Sequence, residues 1–143
     1  MHIENIILDF DGNITDSFKE AIPALETWYS LFSQKIGMNK EEVKLELEKQ
    51  KEIILKNPQI GWDQGGYIIA PAQVDAMVYV TVQSKLLLDR LQGSQEFNLP
   101  QKGKEEEAFL YNIFKESYTN SDIVFREGAK DVLEEIAINY NSI

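Results

Sequence analysis

The sequence has no cysteine, a single histidine and few basic residues, and each of these shortages excludes a class of function. Without cysteine there is no disulfide framework, thiolate zinc site or cysteine nucleophile. The 14 basic residues are outnumbered by 24 acidic ones, and a net charge of −10 argues against a surface that binds nucleic acid. A small phosphorylated substrate is not excluded, because a divalent ion can supply positive charge locally. The lone histidine, His2, is expected to be solvated or at a strand edge rather than a ligand.

Long hydrophobic runs are also lacking. The longest apolar-rich stretch, AMVYVTVQSKLLL, is too short and too polar to span a bilayer. The N-terminal stretch MHIENIILDF carries acidic residues and no cationic flank, which is not typical of a signal peptide. We therefore expect a cytoplasmic protein with no membrane partner.

What is present is enough apolar sequence for a packed core. With 143 residues, of which 43% are hydrophobic, the chain should form one domain or one core with an insertion. Residues 3–8, IENIIL, end in an apolar run followed by the turn formers Asp11-Gly12-Asn13, which predicts a buried strand of a parallel sheet. Helical periodicity and turn residues predict the rest of the chain. The predicted helices are 18–36, 39–56, 72–91, 104–118 and one from about Glu127, and the predicted loops are 61–66 and 93–103.

Two aspartates follow the predicted strand, in the stretch ILDFDGNITDS. Side chains two apart on a strand point the same way, so Asp9 and Asp11 should converge on one bound group. This stretch resembles the first motif of the haloacid dehalogenase (HAD) superfamily, a hydrophobic strand followed by D-x-D-G-x-[IV]-x-D-S. The resemblance implies that Asp9 is the nucleophile that attacks phosphorus and that Asp11 is the general acid/base.

The resemblance also implies the surroundings of the two acids. Mg²⁺ would be held by the Asp9 side chain and by Asp11 through its carbonyl, since this ion prefers hard oxygen ligands. Phe10, Gly12 and Asn13 would form the phosphate loop, in which Gly12 permits a sharp turn. Asn13 departs from the threonine that is usual in the family. An alkoxide leaving group must be protonated and a halide need not be, so Asp11 favours phosphoryl transfer over dehalogenation.

A second stretch, IVFREGAKDVLEEI at 123–136, resembles the segment by which HAD chains return to the core after an inserted cap. The resemblance implies an α/β fold, a Rossmann-like HAD core that is incomplete in this chain, with an inserted mostly α-helical cap domain. The partial core would comprise residues 1–16 and 122–143, and the cap residues 17–121. The later family motifs are not identified in the sequence. We therefore expect that the chain is the N-terminal part of a longer protein, or that another chain completes it.

The stretch that begins at Asp9 also matches the ligand pattern of a calcium-binding loop. Counted from Asp9, DFDGNITDSFKE places oxygen-bearing residues at the ligand positions of an EF-hand calcium loop, with Glu20 last. However, Ile14 stands where the loop needs a left-handed glycine, and only eight residues precede Asp9, too few for the entering helix. A non-enzymatic calcium-binding module is therefore the alternative from a different class. A plain turn and helix cap without chemistry is the third.

The function that the sequence favours is an Mg²⁺-dependent phosphohydrolase that acts on a small phosphorylated metabolite through an aspartyl-phosphate. A phosphomutase uses the same two acids, so the two reactions stay open. We expect little or no turnover from this chain alone, because no residue can be assigned to the later motifs.

Four aromatic residues are candidates for a pocket between cap and core. For Trp28, Phe32, Trp62 and Tyr67 the sequence favours plain core positions over pocket positions. Arg126, in the re-entry stretch, is expected to form a surface salt bridge rather than to face the site. The acidic run at 105–107 is expected to be a solvated helix start.

Overall fold

The computed structural model describes residues 8–64, 66–119 and 122–139, apart from the side chains of Phe10, Asp11 and Gln64. The chain divides into two compact units, which we describe separately. The larger unit is Ala21–Ser121, and the smaller unit joins Met1–Glu20 to Asp122–Ile143. The assignment of these units to a cap and a HAD core stays a prediction.

The described part of the larger unit consists of four helices and one hairpin. The predicted helices at 18–36, 39–56 and 104–118 are confirmed to within one residue, whereas the third helix begins four residues later than predicted. The elements are α1 (Ser17–Ile36), which begins in the smaller unit, α2 (Lys40–Lys56), β1 (Gly61–Gln64), β2 (Tyr67–Pro71), α3 (Ala76–Leu91) and α4 (Lys104–Tyr118).

Local chemistry sets several of these helix ends. Gly37 ends α1 with a φ of +78°, a conformation that costs glycine little. The Asn39 side chain accepts a hydrogen bond from the Glu41 N–H at 2.9 Å and so caps α2. The Asp75 side chain caps α3, so this helix begins at Ala76 and not at residue 72 as predicted.

The stretch 61–66 was predicted to be a loop, and this is wrong for its first four residues. β1 pairs with β2 in an antiparallel hairpin, with a register irregularity between Trp62 and Asp63. The two strands come very close at Gly61, where a Cβ atom would lie 2.4 Å from the Ala70 carbonyl oxygen. Only glycine fits there, so the hairpin depends on this residue.

The core of the larger unit forms around α3, which contacts α2, α4 and β1. Trp28 and Phe32 bring α1 into the same cluster, and the Trp28 indole Nε1 donates to Ser84 Oγ at 3.0 Å. The Phe32 and Phe109 rings meet edge to face, with centroids 6.0 Å apart. The fully buried apolar side chains of this cluster include Trp28, Phe32, Ile36, Val43, Leu87, Leu88 and Ile113.

The smaller unit, where described, contains little regular structure. It comprises a π-helical turn at Phe10–Ile14, the first turn of α1, and α5 (Ala129–Asn139). The final helix predicted from about Glu127 is thus confirmed with a start two residues later. None of the residues of α5 is buried.

The predicted fold class, an α/β Rossmann-like HAD core with an inserted cap, is wrong. The protein is mostly helical, and the sheet of the described residues is the two-stranded antiparallel hairpin β1–β2. A Rossmann-like core needs parallel strands, whereas the re-entry stretch makes a single antiparallel bridge, between Thr15 and Phe125. The predicted strand at 3–8 lies outside the described residues except for Leu8, which is in neither a helix nor a strand. His2 also lies outside them.

No helix in the described part of the chain is both long enough and apolar enough to cross a membrane.

Candidate functional site

The stretch that carries Asp9 and Asp11 closes into a helical turn. Phe10–Ile14 form a single π-helical turn, and Gly12 lies in it with a φ of +75°. A residue with a side chain would be strained at this angle, so the sequence needs glycine there. Asp9 is exposed, and Asn13 Nδ2 donates to Asp9 Oδ2 at 3.0 Å. The side chain of Asp11 lies outside the described part of the chain.

The turn is fastened to the re-entry stretch more than a hundred residues later. The Asp16 N–H donates to the Val124 carbonyl at 2.7 Å, and the Arg126 N–H donates to the Ile14 carbonyl at 3.0 Å. These two bonds flank the Thr15–Phe125 bridge, and Thr15 is buried. The two stretches singled out in the sequence are therefore adjacent in the structure.

Arg126 strengthens the same junction through its side chain. Its Nε donates to the Gly12 carbonyl at 3.0 Å and to the Thr15 carbonyl at 3.3 Å. Within the part of the chain that the structure describes, Arg126 thus contacts the backbone of the turn, and the expected surface salt bridge is not among its interactions. A carbonyl at the end of a helical turn lacks an intrahelical partner, and a guanidinium is well suited to satisfy two of them at once.

Two acids after the turn have structural partners. Asp16 Oδ1 accepts from the Lys19 N–H at 3.2 Å, in the manner of a helix cap for α1. This hydrogen bond and the nearby Lys19 ammonium lower the pKa of the Asp16 carboxyl. Glu20 Oε1 accepts from the Val124 N–H at 2.8 Å. Sequence reasoning had assigned Glu20 only to the last ligand position of a calcium loop.

The geometry gives that calcium loop no support. Ile14 does not take the positive φ that the sixth position of an EF-hand loop requires. Glu20 is directed to the backbone of Val124, and the residues from Ser17 already belong to α1. The described residues contain no group of three or more His, Cys, Asp or Glu side chains that could hold a metal ion. They therefore do not form, by themselves, the Mg²⁺ site that the HAD resemblance implies.

The re-entry stretch forms an open depression of about 450 Å³. Arg126 and Lys130 line it together with one acid, Asp131. Lys130 Nζ lies 4.8 Å from the centre of the Phe125 ring, a cation–π contact. In a chain of strongly negative net charge, this is a place where cations outnumber acids.

The four candidate aromatic residues have different environments. Trp28 and Phe32 are fully buried, which confirms the core prediction for them. Tyr67 is 77% exposed, so the prediction is wrong for this residue. Trp62 is half-buried and lines a cavity within the larger unit, with its ring centroid 6.1 Å from that of Phe114.

This cavity has a volume of about 580 Å³ and lies between the hairpin, α3 and α4. It contains a carboxyl group that sequence reasoning missed. The acidic run at 105–107 was predicted to be solvated, but Glu106 is only 2% exposed. Helical spacing could have revealed this, because Glu106 shares one face of α4 with the buried residues Leu110, Ile113 and Ser117.

Comparisons of the chain with family models, with curated proteins and with solved structures gave no match. We therefore infer the function of this chain from its residues and from their geometry.

Proposed function

We propose that this chain supplies the nucleophile of a phosphohydrolase of the HAD type, with Asp9 as the attacking group. The observation that carries the proposal is the junction between the aspartate turn and the re-entry stretch. Two stretches that resemble HAD segments, separated by more than a hundred residues, are joined by the backbone bonds of Asp16 and Arg126.

The local chemistry suits attack on a phosphate ester. Asp9 is exposed, and Asn13 holds its Oδ2 atom, so that Oδ1 can approach phosphorus. In the first step a bond forms between the Asp9 carboxylate and phosphorus, and the bond from phosphorus to the ester oxygen breaks. By resemblance, Asp11 gives a proton to the leaving oxygen and then takes one from the water that hydrolyses the aspartyl-phosphate.

The depression of the re-entry stretch suits an anionic substrate. Its lining includes two cations, Arg126 and Lys130, and one acid, Asp131. Mg²⁺ stays part of the proposal as the ion that neutralises phosphate charge, with Asp9 and Asp11 as its implied ligands. We expect little or no turnover from this chain by itself, because no residue can be assigned to the later motifs of the family.

A test should therefore detect the covalent intermediate instead of turnover. The protein is incubated with acetyl phosphate and Mg²⁺, and the bound phosphoryl group is located by mass spectrometry of the intact and digested chain. We expect one phosphoryl group that is released by hydroxylamine and lies on Asp9, because acyl phosphates react with this nucleophile. Asp9→Asn should remove the label.

Asp122→Asn is the matched control, since Asp122 is an exposed acid of the same unit outside the turn. It should keep the label of the unaltered protein. An unlabelled wild-type chain would contradict the proposal, and so would a label that persists in Asp9→Asn.

A further inference from the structure

The cavity of the larger unit is lined by a buried carboxyl group, that of Glu106. Glu106 is 2% exposed, and its Oε2 atom has no hydrogen-bond partner among the residues that the structure describes. A buried polar atom in this condition loses its hydration without gaining a hydrogen bond in exchange, which lowers stability. Burial raises the pKa of the Glu106 carboxyl, and the negative charge of Asp89 contributes in the same direction.

The usual structural reason for a glutamate at this place does not apply. Glu106 is the third residue of α4, where a glutamate often pairs with a Ser or Thr at the N-cap. The N-cap here is Gly103, which has no side chain and makes no such bond. The position of the carboxyl is thus not explained by helix capping.

The charges around Glu106 lack one cation. Two lysines, Lys85 and Lys102, act on its carboxyl electrostatically. Each is already engaged with an aspartate: Lys85 Nζ lies 2.5 Å from Asp63 Oδ2, and Lys102 is paired with Asp89. Lys104 and Glu107 also line the cavity and offset each other in charge. Acids therefore exceed lysines by one, and Glu106 is the most deeply buried of these acids.

The rest of the cavity is suited to an apolar body. Trp62, Phe114 and Tyr111 supply aromatic surface, and Val82 and Leu110 supply aliphatic surface. The volume of about 580 Å³ is typical of pockets that bind small molecules. Aromatic rings beside a carboxylate also favour a cationic group, because their faces attract positive charge.

We propose that this cavity is a binding site for a small organic amine, whose ammonium group pairs with Glu106 and whose apolar body lies against Trp62 and Phe114. The ammonium would pair with the Glu106 carboxyl group and supply the missing positive charge. This inference does not depend on the proposed phosphohydrolase activity, since every residue that lines the cavity belongs to the unit Ala21–Ser121.

The test compares three ligands of nearly equal shape: 2-phenylethylamine, 2-phenylethanol and phenylacetate. Their dissociation constants are measured by calorimetry, and the site is identified from the NMR signal of the Trp62 indole N–H. The Trp28 indole serves as an internal reference, because it is buried and bonded to Ser84. We expect the amine to bind about tenfold or more tightly than the alcohol, and phenylacetate to bind weakest.

Two variants separate the role of Glu106 from general effects of charge. Glu106→Gln should abolish the preference for the amine over the alcohol. Glu105→Gln makes the same charge change on an exposed neighbour that does not line the cavity, and it should preserve the preference. Equal binding of amine and alcohol by the wild-type protein would overturn the proposal without any variant. A preference that survives in Glu106→Gln, or a shift of Trp28 instead of Trp62, would overturn it too.

Discussion

Asp9 and Glu106 are both acidic residues, but the structure places them in opposite environments. Asp9 is exposed at a turn and is held by Asn13, as suits a group that must reach a substrate. Glu106 is enclosed, and its Oε2 atom has no hydrogen-bond partner among the described residues, as suits the ligand-binding role that we propose for it. A buried oxygen without a partner lowers stability, and proteins tolerate this loss mainly where function requires it. The second proposal is therefore based on Glu106.

Removing the charge of Glu106 should stabilise the protein at neutral pH. The folded-state pKa of this carboxyl is raised by burial and by Asp89, with Lys85 and Lys102 opposing and Asp63 contributing. Its contribution to stability is therefore complete below the unfolded value of 4.5 and is lost as the pH rises through the folded value. Glu106→Gln should thus unfold at higher urea concentration at neutral pH, by about 1 kcal/mol.

Below pH 4.5 the difference should disappear, since both side chains are then uncharged. Glu105→Gln is the control and should change the free energy of unfolding by less than about 0.5 kcal/mol at either pH. A less stable Glu106→Gln protein at neutral pH would mean that the charged carboxylate has a partner after all. Greater stability combined with lost amine binding would be the signature of a binding residue.

At the scale of elements, the start of α3 depends on one side chain. Asp75 Oδ1 accepts hydrogen bonds from the N–H groups of Met77 and Val78, both at 2.8 Å. Because α3 contacts α2, α4 and β1, an unravelled first turn would disturb the whole larger unit. Asp75→Ala should therefore cost about 1 kcal/mol, or a fall of about 4 °C in Tm.

Asp75→Asn keeps an oxygen acceptor at the cap and should cost less than the alanine variant. Thermal unfolding followed by circular dichroism would measure both. If the two variants lost equal stability, the effect would come from the charge of Asp75 and not from its cap bonds.

The element that sequence reasoning misjudged is the hairpin. The stretch GWDQGG contains three glycines and an acid, which is typical of a loop. It forms a strand because Gly61 allows β1 to approach the Ala70 carbonyl, a contact with a residue nine positions away. The hairpin then places Trp62 at the cavity. Because the strand was not predicted, the place of Trp62 in the candidate amine site was not predicted either.

At the scale of the whole molecule, the buried side chains of the described residues are distributed unevenly between the two units. Both apolar clusters lie within the larger unit, whereas α5 of the smaller unit has no buried residue. Segments with few buried contacts open at lower free energy. Native-state hydrogen exchange should therefore show a lower free energy of opening for the amides of α5 than for the central amides of α3.

The comparison should be made on one sample at several low urea concentrations, so that local and global opening are distinguished. Amides of α1 near Trp28 should match those of α3, since both helices share one cluster. If the amides of α5 were as protected as those of α3, the two units would unfold as one cooperative body, contrary to our expectation.

Several features of this protein follow from its sequence alone. Helical periodicity and turn residues placed α1, α2, α4 and α5 within one or two residues, because an amphipathic pattern and a cap are local properties. The stretch ILDFDGNITDS and its partner at 123–136 were also identified locally, and their functional meaning stays a prediction.

Tertiary structure decided the rest, because it depends on which distant residues meet. It showed that the fold is mostly helical instead of α/β, since the re-entry stretch makes one antiparallel bridge and the aspartate turn is π-helical. It directed Arg126 to the carbonyls of Gly12 and Thr15. It also enclosed Glu106, because burial is set by what packs against a helix face and not by the charge of the residue on it.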